Sequence, residues 1–458
     1  MATSTIINFY FHLIIPLLCS TFISNHCCIF AKTEYYMLVK FTVKNFRSFK
    51  EEQTFSMEAS SETEHTDSII NESYYSILPI AVFYGANSSG KSNLIKAMSR
   101  MKRMIRFSVH LNEGDELPYE PFALDKNSNY EPTLFEAEFL KKGIALYRYG
   151  FEYNKNEIVS EWLYEKDFKK EGKEKELFIR MRNTIEVSPE FFSEGAGKEE
   201  MTNTNRLFLS LVAQLKGKKS NSVMDWFREC NTLSGIDSEG YQSFTLKMFM
   251  QNLAGSEQAQ DFFKTLQLGF THFSTRKKDL PEELIEKLPD IIESKERREK
   301  IETYYIEGIT KHNIYGKNGD VIDTQEFNMN KMESEGTKKV IEISGPIFDT
   351  LSKGRTLFID ELDAKLHPIL TRNIMLLFME PHTNPNGAQL VFATHDTNQL
   401  DLGIIRRDQI WFAEKNRFDS TEIYSLIEFD DNNLLSTKHD LKSNYIRGRY
   451  GAIPFIQK

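Results

Sequence analysis

The stretch that most limits what this chain can fold into is FYGANSSGKSNLIKAM, Phe83 to Met98. Within it, Gly85-Ala86-Asn87-Ser88-Ser89-Gly90-Lys91-Ser92 fits the pattern G-x-x-x-x-G-K-[ST] in full. The segment before it, SILPIAVFYG, is a short apolar run that suits a buried parallel strand. The segment after it predicts a helix from Lys91 to near Phe107. A strand, a glycine-rich turn and a helix start bring backbone N–H groups and the positive end of the helix dipole to one point. That is a cradle for phosphate. Gly85, Asn87, Ser88, Ser89 and Gly90 are expected to wrap it, with Lys91 reaching the β- and γ-phosphates and Ser92 holding Mg²⁺. A chance glycine/serine turn would not carry both flanks.

Three further motifs fit the same chemistry. TLFIDELDAKLHP begins with an apolar strand that ends at Asp360-Glu361. A carboxylate at the carboxyl end of a parallel strand is placed to hold Mg²⁺ through water, and its neighbour Glu361 to polarise the attacking water. His395 ends the next apolar strand, QLVFATHD, 34 residues after Glu361, where it could contact a γ-phosphate. In KMESEGTKKV, Ser334 and Gly336 present a hydroxyl and a glycine N–H at a helix start, although a plain helix N-cap reads the same way.

Around these motifs the chain reads as follows. MLVKFTVKNFRSFKEEQTFSM alternates with a period near two and predicts a pair of strands. β-like segments run from Pro132 to about Val187, helical periodicity from about Asn205 to Leu268, and a hairpin is expected near Asn318-Gly319. The charged stretch 281–300 has no sustained heptad and reads as a solvated helix or a docking surface. Lys96, Arg100 and Arg103 share one face of the helix after the phosphate loop, as a solvated face or a phosphate contact. Asp430-Asp431 reads as a turn.

The net charge of −9 argues against a generally cationic nucleic-acid coat. Beyond residue 28, Cys230 is the lone cysteine, which fits a reducing, cytoplasmic setting. The first 31 residues hold no Asp, Glu, Lys or Arg. They read as a signal sequence, a membrane anchor, or sequence upstream of a true start at Met37, the last being favoured; a membrane partner is not expected.

The order phosphate loop, Ser-x-Gly, hydrophobic-Asp-Glu and strand-end His resembles the ABC-type ATPase superfamily. MLVKFTVKNFRSF, ESEGTKK, FIDELDAKLHP, FATHD and the ending SNYIRGRYGAIPF narrow the resemblance. They look like the prokaryotic AAA-family ATP-binding proteins grouped near RecF, SMC and OLD ATPases, which include ATPase subunits of abortive-infection and other antiphage systems. The resemblance covers about Met37–Leu140 and Tyr304–Ile456.

It implies an α/β fold: an ABC-type head with a mixed or parallel central sheet, an N-terminal antiparallel β subdomain and a mainly helical insertion. The corresponding division is an apolar extension at 1–36, the head at 37–150 and 304–458, and a β/helical insertion at 151–303. It also implies a homodimer with composite ATP sites. Lys91, Ser92 and Asp360 would hold ATP and Mg²⁺, Glu361 would activate water and His395 would read the γ-phosphate. Ser334 and Gly336 would cap that phosphate from the opposite protomer, Asp363 would sit at the seam, and Arg47 could reach the nucleotide or support the fold.

The chain departs from the pattern in two places. No glutamine stands at the Q-loop position near YEPFAL, and Glu335 divides the serine and glycine of the signature. The signature follows the phosphate loop by more than 200 residues, which excludes the compact transporter arrangement. An ATPase that regulates a separate, nuclease-like effector in antiphage defence is the expected function. A RecF/SMC-like DNA-repair ATPase is the alternative, so nucleic acid stays open as a partner.

Overall fold

The computed structural model describes residues 35–168, 172–237, 239–279, 304–429 and 441–453. The N-terminal apolar segment, the charged stretch 281–300 and Asp430-Asp431 lie outside the described residues. The described chain divides into two compact units, one holding 237–352 and 365–367, the other holding the remainder.

In the larger unit, two sheets share a core. The first is antiparallel and has seven strands: β1 (Tyr36–Lys44), β2 (Gln53–Ser56), β6 (Thr133–Lys141), β7 (Ala145–Tyr153), β8 (Ile158–Asp167), β9 (Glu174–Met181) and β10 (Thr184–Val187). Its order is β10-β9-β8-β7-β6-β1-β2. The expected pairing of the two N-terminal strands is present, with Lys40 opposite Ser56. Residue 151 lies inside β7, so this meander runs unbroken across the position at which the sequence reading began an insertion. A two-stranded ribbon, β3 (Ile70–Glu72) with β4 (Tyr75–Ile77), precedes β5 (Ile80–Tyr84).

The second sheet has six strands in the order β11-β15-β16-β5-β17-β18. These are β11 (Asn231–Ser234), β15 (Thr356–Asp360), β16 (Gln389–Ala393), β5, β17 (Ile410–Lys415) and β18 (Thr421–Ser425). All neighbours pair parallel except β17 and β18. Every residue of β5 and β16 is buried, as strands covered on both faces require.

Helix α1 (Lys91–Phe107) follows the phosphate loop and buries Leu94, Ile95, Met98, Met101 and Ile105 in the core that both sheets share. Helices α2 (Phe208–Gln214) and α3 (Lys218–Glu229) complete that core; Trp226 stacks on Phe139 of β6 at 4.3 Å. Glu161 of β8 is fully buried and accepts the N–H groups of Phe208 and Leu209 at 2.7 and 3.0 Å, fastening the start of α2 to the sheet. The helical stretch expected from 205 to 268 is interrupted by β11, whose NTLS sequence has no apolar run to announce a strand. Helix α7 (Pro368–Met379) connects β15 to β16, and α8 (Leu441–Ile446) packs Tyr445 on Phe412 of β17 at 5.5 Å.

The smaller unit holds α4 (Glu239–Met250), α5 (Ser256–Leu266), the sheet β12 (His272–Asp279), β13 (Tyr304–Tyr315) and β14 (Val321–Asn328), and most of α6 (Glu335–Lys353). The β13–β14 hairpin turns at Gly316 to Asp320 with Gly319 at φ +82°, as its Asn-Gly pair predicted. Gly345 lets α6 approach α4 closely, since a Cβ there would lie 2.2 Å from Thr245 Oγ1. Of the three strands, β13 and β14 form the hairpin expected near Asn318-Gly319, and β12 is the one the sequence does not announce.

Candidate phosphate and magnesium site

The carboxyl ends of β15, β16 and β5 lie side by side, which brings Asp360, His395 and the phosphate loop to one edge of the sheet. Gly90 caps α1 at φ +111°, a conformation that favours glycine, and a Cβ there would lie 2.2 Å from Thr421 Oγ1. Ser88 also takes a positive φ of 65°, and Ser88 and Asn87 are exposed at the loop's tip. Ser89 is buried, and its hydroxyl has no hydrogen-bond partner among the described residues.

Lys91 is 6 % exposed and folds back on the loop, donating to Gly85 O at 2.8 Å and Ala86 O at 3.1 Å. Burial lowers its pKa to about 8, against the opposing pull of the Asp360, Glu361 and Asp363 carboxylates. Incoming phosphate oxygens would restore the solvation of the ammonium that burial removes.

Ser92 Oγ donates to Asp360 Oδ1 at 3.0 Å. Mg²⁺ in nucleotide sites keeps several waters and takes substrate phosphates, so the protein need supply few ligands. One hydroxyl and one carboxylate already in contact fit that requirement. Glu361 follows at φ +54°, which turns the chain sharply out of β15. Gly235, just after β11, donates its N–H to Asp360 O at 2.6 Å, and a Cβ there would meet Glu361 O at 1.9 Å.

His395 is exposed beyond β16, and its N–H reaches Asp363 Oδ2 at 3.4 Å. Leu362 N–H donates to Ala393 O at 3.2 Å, which ties the Asp363 loop to the end of β16. Arg47 is engaged by Glu120, a contact of the fold-supporting kind: its Nε donates to Glu120 Oε2 at 2.5 Å and its N–H to Glu120 O at 2.8 Å. Arg100, read as part of a basic face, is bound to the same Glu120.

Ser334 and Gly336 lie in the smaller unit. Ser334 Oγ accepts Thr337 N–H at 3.2 Å, so the serine caps the start of α6 as its local sequence suggested. Glu335 between them forms ion pairs with Lys338 and Lys365.

Sequence reading missed the residues that brace the loop. Thr421 of β18 donates to Ser89 O at 2.7 Å, and its Oγ1 lies 2.8 Å from Ser48 Oγ, which accepts Asn93 Nδ2 at 2.8 Å. Ser48 stands in NFRSF, one residue after Arg47; nothing near Thr421 signals a role.

The family described as "AAA domain, putative AbiEii toxin, Type IV TA system" matches residues 80–401, which span this whole arrangement from β5 to beyond His395. The chain belongs to this AAA family. The match bears out the resemblance to prokaryotic AAA-family ATP-binding proteins, and the fold is the α/β P-loop ATPase expected for it. No curated protein matches the chain. Among solved structures, an SMC head bound to the C-winged helix domain of ScpA is similar at 12% identity and TM-score 0.35, covering 85% of this chain and 97% of that one. The SMC head domain from Thermotoga maritima gives 11% identity and TM-score 0.38, over 85% and 98%. The recombination mediator RecF with ATPrS gives 12% and 0.36, over 85% and 99%. These likenesses are too distant to transfer a partner or an activity. Among the described residues, no helix of this AAA protein is long and apolar enough to cross a membrane.

Proposed function

We propose that this AAA protein binds and hydrolyses ATP with Mg²⁺, and that ATP-dependent dimerisation of its head regulates an effector carried on a separate chain. The observation that carries the reading is the contact of Ser92 Oγ with Asp360 Oδ1, beside the buried Lys91 ammonium. Lys91 would hold the β- and γ-phosphates, and Ser92 and Asp360 the metal, which supplies charge neutralisation when bound. Glu361, at the turn out of β15, would activate the attacking water. His395 would contact the γ-phosphate, and Ser334 and Gly336 of the opposite protomer would cap it. The family's description, which names a toxin of a type IV toxin–antitoxin system, supports a place in defence such as abortive infection.

Glu361→Gln tests the reading. It should keep ATP binding, cut phosphate release by about 100-fold or more, the usual worth of a general base, and accumulate an ATP-bound dimer in light scattering. Undiminished hydrolysis would remove the catalytic assignment. A nucleic-acid-binding reading is favoured by exposed Lys96, Arg103 and Arg106 on α1. Reversing these charges should then lower DNA affinity and flatten its salt dependence.

A further inference from the structure

Tyr84 ends β5 one residue before the phosphate loop and faces the side of the sheet opposite Phe83. Phe83 packs on Phe55 and Trp411, whereas the Tyr84 ring lies 6.4 Å from Phe412 and 5.9 Å from Tyr445. Tyr84 is 1 % exposed, and its hydroxyl has no hydrogen-bond partner among the described residues. A buried donor in that condition is costly.

Two carboxylates, Asp396 and Asp363, and the Tyr445 phenol act electrostatically on this hydroxyl. Burial first, then the negative charges of Asp396 and Asp363, push the phenol pKa well above its usual value. Asp396 is already engaged: Oδ1 accepts from Asn398 N and Nδ2 at 2.9 and 2.6 Å, and Oδ2 accepts Gln399 Nε2 at 2.9 Å. Asp363 is half engaged. Its Oδ2 accepts the His395 N–H across a long 3.4 Å, while its buried Oδ1 has no partner. A donor without an acceptor and an acceptor without a donor thus stand on either side of His395, at the ends of neighbouring strands.

We propose that Tyr84 is a positioning residue for His395, its hydroxyl donating to Asp363 Oδ1 when the His395 segment is drawn onto the γ-phosphate. The new bond fixes the carboxylate that holds the His395 backbone, so the histidine is steadied through Asp363 and not by direct contact. Tyr84 then favours the state in which phosphate is read, with little effect on the initial capture of nucleotide by Lys91. This rests on the ATPase reading above.

The test is Tyr84→Phe, made both in the native chain and in the Glu361→Gln chain, where ATP persists. Without nucleotide, Tyr84→Phe should melt within about a degree of its parent, because the hydroxyl it loses had no partner. In the native chain, kcat should fall about tenfold or more, as for loss of one hydrogen bond to a carboxylate, with KM nearly unchanged. In the Glu361→Gln chain, the rise in melting temperature on adding ATP and Mg²⁺ should shrink. Equal kcat and an equal ATP-induced rise would overturn the proposal. So would a clear loss of stability without nucleotide, which would mean that the hydroxyl is already satisfied, for example by a bound water. If the Glu361→Gln parent itself gains nothing from ATP, the ATPase reading falls, and this inference with it; if the parent gains and Tyr84→Phe gains as much, the inference falls alone.

Discussion

Ser92 and Asp360, separated by 268 positions in the chain, meet through a 3.0 Å hydrogen bond from hydroxyl to carboxylate. The helix start after the phosphate loop brings the first, and the end of β15 brings the second. Both are only partly buried, at the rim of the sheet and not in its core. In the proposed ATPase reading they are two sides of one cation site.

That assignment predicts coupling. Ser92→Ala and Asp360→Asn should each weaken ATP binding in the presence of Mg²⁺ by about tenfold, the loss of about one charge-assisted contact. The double variant should lose far less than the product of the two, with a coupling of about 1–2 kcal/mol. In EDTA all four proteins should bind ATP alike. Fluorescent-nucleotide titrations with and without Mg²⁺ check this, and additive losses that persist in EDTA would sink the shared-ion assignment.

Lys91 predicts a pH dependence of stability. Its folded pKa is lowered to about 8 by burial, whereas an unfolded lysine titrates near ~10.4. Between those values the unfolded chain binds a proton that the folded chain has released, so this group's contribution to stability rises with pH across that window. Below it, both states are protonated and the cost of burying the ammonium is present in full. Lys91→Met should therefore be more stable than the parent at pH 7, with the difference narrowing towards pH 10. Lys339, also lowered to about 8 by burial, keeps some of the slope in both proteins. Denaturant melts at a series of pH values in nucleotide-free buffer measure the difference; parallel curves would mean that Lys91 is solvated in the folded state.

The legible parts of this protein are those whose chemistry requires consecutive residues. A phosphate cradle needs its glycines, lysine and serine at fixed offsets, and a strand-end carboxylate pair needs an apolar run before it, so both stand out in one dimension. The bracing contacts do not. Thr421 reaches Ser89 across 332 positions, and a threonine in a short polar strand looks like any other. β11 was hidden for a related reason: its four residues are only half covered or exposed, so no alternation marks them, and it becomes a strand because β15 offers a free edge. The division at 237 was equally silent, since contacts set it and no glycine- or proline-rich linker announces it.

Gly235 is the residue at which those two kinds of information meet. It follows the strand that sequence did not reveal, and it presses its backbone on the Asp360-Glu361 pair that sequence did. Its N–H holds Asp360 O at 2.6 Å, and a methyl group at its Cβ would sit 1.9 Å from Glu361 O, well inside contact distance with rigid backbone. Gly235→Ala must push β11 away from β15 or push Glu361 out of its left-handed turn at φ +54°. Overpacking of this kind costs about 1–3 kcal/mol, so the melting temperature should drop by several degrees. If Glu361 is what moves, kcat should fall by more than tenfold while ATP affinity, assigned in the proposed reading to Lys91 and Ser92, changes little. If β11 moves, stability falls and kcat is spared. Measuring both in one variant separates the outcomes, and a Gly235→Ala protein with native stability and native turnover would contradict the close approach of these two chains.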